Sequence, residues 1–69
     1  MTALQRWIIA VLQTFGRAGD RRIIALVREK FDVAESTVRG ARLALLRRGL
    51  LEPAGTLGKR PRRLWRLKT

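Results

Sequence analysis

Up to Leu46 the apolar residues of this chain recur at helical spacing, and after Gly49 they alternate; that change of period limits the possible folds more than any single motif. Leu4, Trp7, Ile8, Val11, Leu12 and Phe15 follow the i, i+3, i+4, i+7, i+8 pattern of one helical face. Thr2 is a candidate N-cap, and Gly16 with Gly19 ends the segment, so a first helix is expected over about 3–15. Ile23, Ile24, Val27 and Phe31 mark the buried side of a second helix over about 20–30, with Asp20 capping it or resting at its positive end. The stretch "FDVAE" then interrupts the pattern, because a β-branched valine between Asp32 and Ala34 continues a helix poorly.

A third helix is expected over about 35–48. At ~100° per residue, Val38, Ala41 and Leu45 share the inward side, and Ser36, Arg39, Gly40, Leu43 and Arg47 the outward one. Gly49 closes it in the left-handed cap position, with Arg47 and Arg48 near its negative end. Beyond Gly49, "LLEP" reads as a short strand, "AGTLGKRP" as a loop and "RRLWRLK" as a second strand. On that second strand Arg63, Trp65 and Leu67 face one way and Arg62, Leu64 and Arg66 the other. The expectation is one domain over 1–69, mainly α with a small β-hairpin over about 50–68.

A chain of 69 residues buries roughly 60% of the surface its unfolded form exposes, too little for a large catalytic cleft. Cysteine and histidine are both missing, which removes disulfides, the usual zinc sites and the commonest proton shuttle. The five acidic residues, Asp20, Glu29, Asp32, Glu35 and Glu52, stand singly along the chain. No enzyme, metal or cofactor is expected, and no small-molecule pocket is evident. Against those five acids stand 16 lysines and arginines, a formal charge of +11 that calls for a polyanionic partner. Charge alone fits DNA, RNA, the ribosome or a membrane surface, although the arginine bias suits phosphate oxygens and guanine edges. No stretch approaches the ~18 apolar residues that span a bilayer. The segment "LQRWIIAVLQTF" is too short and interrupted for a signal peptide. The expected location is the cytoplasm, at the nucleoid.

Several residues have two readings. Arg21 and Arg22, at the first turn of the second helix, either hold a phosphate or are solvated. Lys59, Arg60, Arg62 and Arg63 form the densest run of cations, for phosphate contact or as a charged edge that keeps molecules apart. Gly40 either lets a partner approach the helix backbone or is a plain destabilising glycine. Trp65 either stacks on a base or anchors the hairpin to the core. Leu43 either meets a thymine methyl or forms, with Leu46, a strip for another protein.

A helix, a second helix, a tight turn, a third helix and then a hairpin resemble the layout of the winged helix-turn-helix domain. The resemblance spans Leu4 to Thr69. "VAESTVRGARLALLRRGLLE" is similar to the turn, recognition helix and first wing strand of that superfamily: Ser36-Thr37-Val38-Arg39 match the helix start, Ala41 and Leu45 the inward residues, and Gly49-Leu50-Leu51 the exit. "GKRPRRLWRLKT" is similar to the closing wing of PadR-like and MarR-like bacterial repressors. Arg42 stands where these helices usually carry an apolar residue, and Leu43 where a polar one is usual.

The resemblance implies a sequence-specific, double-stranded-DNA-binding regulator or accessory factor of bacterial or phage type. The helix that starts at Glu35 would lie in the major groove and the wing on the backbone or in the minor groove. Glu35, Ser36, Thr37, Arg39, Gly40, Arg42, Leu43 and Arg47 would form its contacts, with Arg39 suited to guanine O6 and N7. A homodimer would read two half-sites, joined through the first helix, where Ile9 and Ala10 add apolar area. The alternative is a protein-interaction module that uses Leu43, Leu46 and the first helix. RNA or ribosome binding would call for surface aromatics to stack on unpaired bases, and the chain has few.

Overall fold

The computed structural model describes residues 1–58 and 62–68. Three helices, α1 (Ala3–Phe15), α2 (Asp20–Lys30) and α3 (Glu35–Arg47), and three strands, β1 (Arg17–Gly19), β2 (Leu51–Leu57) and β3 (Arg62–Leu67), follow in the order α1-β1-α2-α3-β2-β3. Mainly helical, the molecule ends in a β2–β3 hairpin to which β1 adds, giving an antiparallel sheet in the order β1-β3-β2.

Each helix begins and ends where local chemistry allows it. Thr2 completes a capping box on α1: its hydroxyl accepts the Gln5 amide at 3.1 Å, and the Gln5 side-chain oxygen accepts the Thr2 amide at 3.1 Å. Gly16, at φ +80°, ends α1 with its amide donating to the Leu12 carbonyl at 2.8 Å. Gly19 is the N-cap of α2, so Asp20 is its first residue and holds a carboxylate at the positive end of the helix dipole. Four residues, Phe31 to Ala34, then turn the chain into α3. At the far end of α3 the Gly49 amide donates to Leu46 and the Leu50 amide to Leu45, the paired bonds of a Schellman motif, with Gly49 at φ +75°.

The core gathers Ile8 and Leu12 of α1, Ile23 and Val27 of α2, and Val38 and Leu45 of α3, each with 1% exposure or less. Ala18, Leu51 and Trp65, one from each strand, join the same cluster. No charged side chain is fully buried among the described residues. The sheet therefore serves as a wall of the helical core, and β3 at its centre carries the main anchor, Trp65.

The strands depart from the sequence reading in three ways. β1 was not expected; it pairs Arg17, Ala18 and Gly19 with Arg66, Trp65 and Leu64, and buries Ala18 beneath the helices. β2 does not stop at Pro53 but runs to Leu57 across an irregularity between Pro53 and Thr56, where Gly55 adopts φ +98°. Pro53 is tolerated because β2 is an edge strand. Leu64, on the face opposite Trp65, is also buried, at 7% exposure.

Two glycines of α3 and its exit should answer alanine in opposite ways. Gly49→Ala forces a side chain into the left-handed region and is expected to cost about 1 kcal/mol, ~4–8 °C in melting temperature. Gly40→Ala adds a Cβ that meets nothing within 4 Å and should stabilise by about 0.5–1 kcal/mol. Thermal unfolding of the two variants beside the parent chain checks both signs.

Candidate nucleic-acid interface

Because Val38, Ala41 and Leu45 claim one side of α3, its remaining residues are left to solvent. Ser36, Thr37, Arg39, Gly40, Leu43 and Arg47 are all exposed, as is Glu35 at the first turn. Ser36, Gly40, Leu43 and Arg47 form the crest of the outward face at ~100° per residue, with Glu35 and Arg39 on one flank.

Arg42 does not belong to that set. Its guanidinium makes a two-pronged pair with Asp20, Nε to Oδ1 at 2.8 Å and Nη2 to Oδ2 at 2.9 Å. It also lies over the Trp65 ring, 4.5 Å from the centroid. With its side chain only 14% exposed, Arg42 is a bracket between α2, α3 and β3 rather than an outward cation. The Trp65 ring is 4% exposed and also carries Arg63, 5.7 Å from its centroid. Trp65 is thus the anchor of the hairpin. Its indole N–H is buried without a partner among the described residues.

Along the Glu35–Arg39 flank of α3 runs a broad open trough. Its walls are the start of α2, the first turns of α3, β1 and the beginning of β3, and seven arginines line it: Arg17, Arg21, Arg22, Arg28, Arg39, Arg62 and Arg63. Two acids share the lining, Asp20 and Glu35. Arg21, Arg22, Arg62 and Arg63 come from segments far apart in the chain, and the fold brings them to one surface with Arg39. Arg17 and Arg28 complete the set unforeseen. Arg28 lies two turns after Arg21 on α2, a spacing that places both on one face and could have marked it; Arg17 gave no signal, since β1 exists only through its pairing with β3.

Glu35 holds its neighbours loosely. Its oxygens lie 3.7 Å from Arg28 and 3.8 Å from Arg39, with more than half of each side chain exposed. Pairs of this kind contribute little to stability and exchange readily. Arg22 rests over Phe15, 5.1 Å from the ring centroid, at the end of the trough. Glu52 instead binds Arg66 at 2.7 Å across the hairpin, outside the trough.

Other candidates are placed as follows. Lys59 and Arg60 lie outside the described residues. Arg47 is exposed near the end of α3 and does not line the trough. Leu46 packs against the core, which leaves Leu43, 37% exposed, without its companion in an apolar strip. On α1, Ile9 is half-buried and packed against the core, whereas Ala10 lines a shallow groove with Trp7, Val11, Phe15 and Leu26. Among the described residues no helix is long and apolar enough to cross a membrane, and no three acidic side chains group to hold a metal ion.

If Arg42 is a bracket, its loss is felt in stability. Arg42→Met should cost about 2 kcal/mol, because it leaves Asp20 half-buried without its charge-assisted bonds. The Asp20→Asn/Arg42→Met pair should cost less than the sum of the two single changes, a coupling that denaturant unfolding of the four proteins measures. No family model matches this chain, nor does any curated protein, so the trough and the helix beside it speak through their own residues.

Proposed function

We propose that this chain is a non-catalytic, sequence-specific double-stranded-DNA-binding protein of the winged helix-turn-helix type, acting as a small regulator or accessory factor at the nucleoid. The observation that supports this most is convergence: arginines from the starts of α2 and β3 line one trough with Arg39 of α3. An outward helix beside a cationic flank fits a duplex, with the crest of α3 in the major groove and the trough along a neighbouring phosphate strand. Small residues at Ser36 and Gly40 let that crest approach base edges closely. Arg39, between crest and trough, can reach guanine O6 and N7.

The rival polyanions fit less well. Unpaired RNA is held by aromatics that stack on bases, whereas Trp65 is buried in the core and Trp7 is half-buried beneath Lys30, whose Nζ lies 4.2 Å from the ring centroid. A membrane surface calls for a helix with a basic polar face, and α1 carries Arg6 alone. The longest extent of the described backbone, 30 Å, matches about nine base pairs at 3.4 Å each. One copy would thus cover a half-site, and a pair joined through α1 would cover two.

A titration against duplex DNA over a range of salt concentrations tests the proposal. The expected log–log slope of affinity against salt is steeper than about −4, the mark of several neutralised phosphates, and a flat response would end the proposal. Arg63→Gln should weaken all duplexes about equally and make the slope shallower by about 1, whereas Arg39→Gln should reduce discrimination between sequences.

A further inference from the structure

Two carboxylates face the trough, and they are engaged very differently. Asp20 is neutralised by the two-pronged bond from Arg42, at 2.8 and 2.9 Å, and is held in place. Among the described residues Glu35 has only its long, exposed pairs to Arg28 and Arg39, at 3.7 and 3.8 Å. In a surface built for phosphates, an uncommitted carboxylate opposes binding unless something else there repays it with a hydrogen-bond donor.

We propose that Glu35 is a specificity-determining residue, which turns away a bare phosphate strand and accepts the exocyclic amino group of a cytosine; this rests on the duplex-DNA reading above. A carboxylate can only accept hydrogen bonds. In the major groove cytosine offers the N4 amino donor alone, whereas adenine sets N7, an acceptor, beside its N6 donor, and guanine and thymine present acceptors. A carboxylate at the start of α3 therefore meets a fully complementary edge at cytosine, a mixed one at adenine and a repulsive one at guanine and thymine. One turn further on, Arg39 shares the flank and has the opposite need, for guanine. The loose geometry supports this role: Glu35 can release Arg28 and Arg39 to phosphate or guanine while it turns to the base edge. A purely structural role, as the negative charge at the dipole's positive end, would show in stability alone.

Three full-length proteins decide the matter: the parent chain, E35Q, and E29Q as a control with the same charge change. Glu29 is exposed and lines the α1–α2 groove, away from the trough. The parent chain first selects its preferred duplex from a randomised library, and affinities of all three proteins are then measured for that duplex and for random duplex. E35Q should bind random duplex about fivefold tighter and lose about fivefold or more of the preferred-to-random ratio, while E29Q keeps that ratio within twofold. A ratio that E35Q leaves intact, whether or not its melting temperature falls, overturns the proposal and leaves DNA binding standing. An equal loss in E29Q, or no selection by the parent chain, overturns it too. If the parent chain binds no duplex at any salt concentration, the underlying reading falls and takes this one with it.

Discussion

The guanidinium of Arg42 touches three elements at once, and the shape of the cationic surface follows from where it holds them. It rises from the middle of α3, grips the first residue of α2 through Asp20 and lies on the ring of Trp65 in β3. Those three elements carry Arg21 and Arg22, Arg39, and Arg62 and Arg63. A lysine could offer charge at this point, but not the flat fork that bonds two oxygens and stacks on a ring together. Apolar side chains in place of both Arg42 and Asp20 could fill the volume with comparable stability, since half-buried pairs lose much of their attraction to desolvation. They would leave α2, α3 and the hairpin free to settle by packing alone. The pair restricts their angles, which is the more useful property for a surface that must present charges at fixed spacing.

Charge is the second constraint. With +11 on 69 residues the folded state repels itself, and three of the five acids are placed where they join elements. Asp20 ties α2 to α3, Glu52 ties β2 to β3 through Arg66, and Glu35 spans Arg28 of α2 and Arg39 of α3. The repulsion is also uneven. α1 carries a single cation, Arg6, whereas seven arginines crowd the trough. Concentrated in that way, the strain is relieved most by a partner that brings several negative charges to one face, and binding it would stabilise the fold by mass action.

Helix positions were legible because each helix has to bury a stripe, and a stripe leaves a period in the sequence. The same is true of Gly49, whose left-handed backbone is a local demand that few other residues meet. What stayed hidden depends on partners distant in the chain. β1 is three residues long and has no pattern of its own; it becomes a strand only because β3 offers an edge. β2 passes Pro53 because the proline's missing donor faces the open side of the sheet, a fact that belongs to the sheet order. The resemblance counts Arg42 among the duplex contacts, although the helical angle alone puts it at the border of the core. Its true neighbour lies 22 residues earlier, and no spacing rule links the two. For the trough, Arg21 with Arg22, Arg39, and Arg62 with Arg63 are each visible separately in the sequence, whereas Arg17 and the meeting of all of them on one face come only from the fold.

On the proposed reading, affinity and discrimination rest on different parts of this surface. The trough supplies charge from α2, β1 and β3, on elements braced by the core, and phosphates look alike from one duplex to another. The crest of α3 carries a single charge, Arg47 near its end: Ser36, Gly40 and Leu43 can approach base edges without drawing the helix toward the backbone. Between the two stand Glu35 and Arg39, one refusing acceptors and the other seeking them, each paired with the other until a base edge offers better. A protein with only the trough would bind any duplex, and one with only the crest would lack the attraction to remain on DNA at physiological salt. In so small a chain the two needs can be met together because one helix lends its flank to the first and its crest to the second.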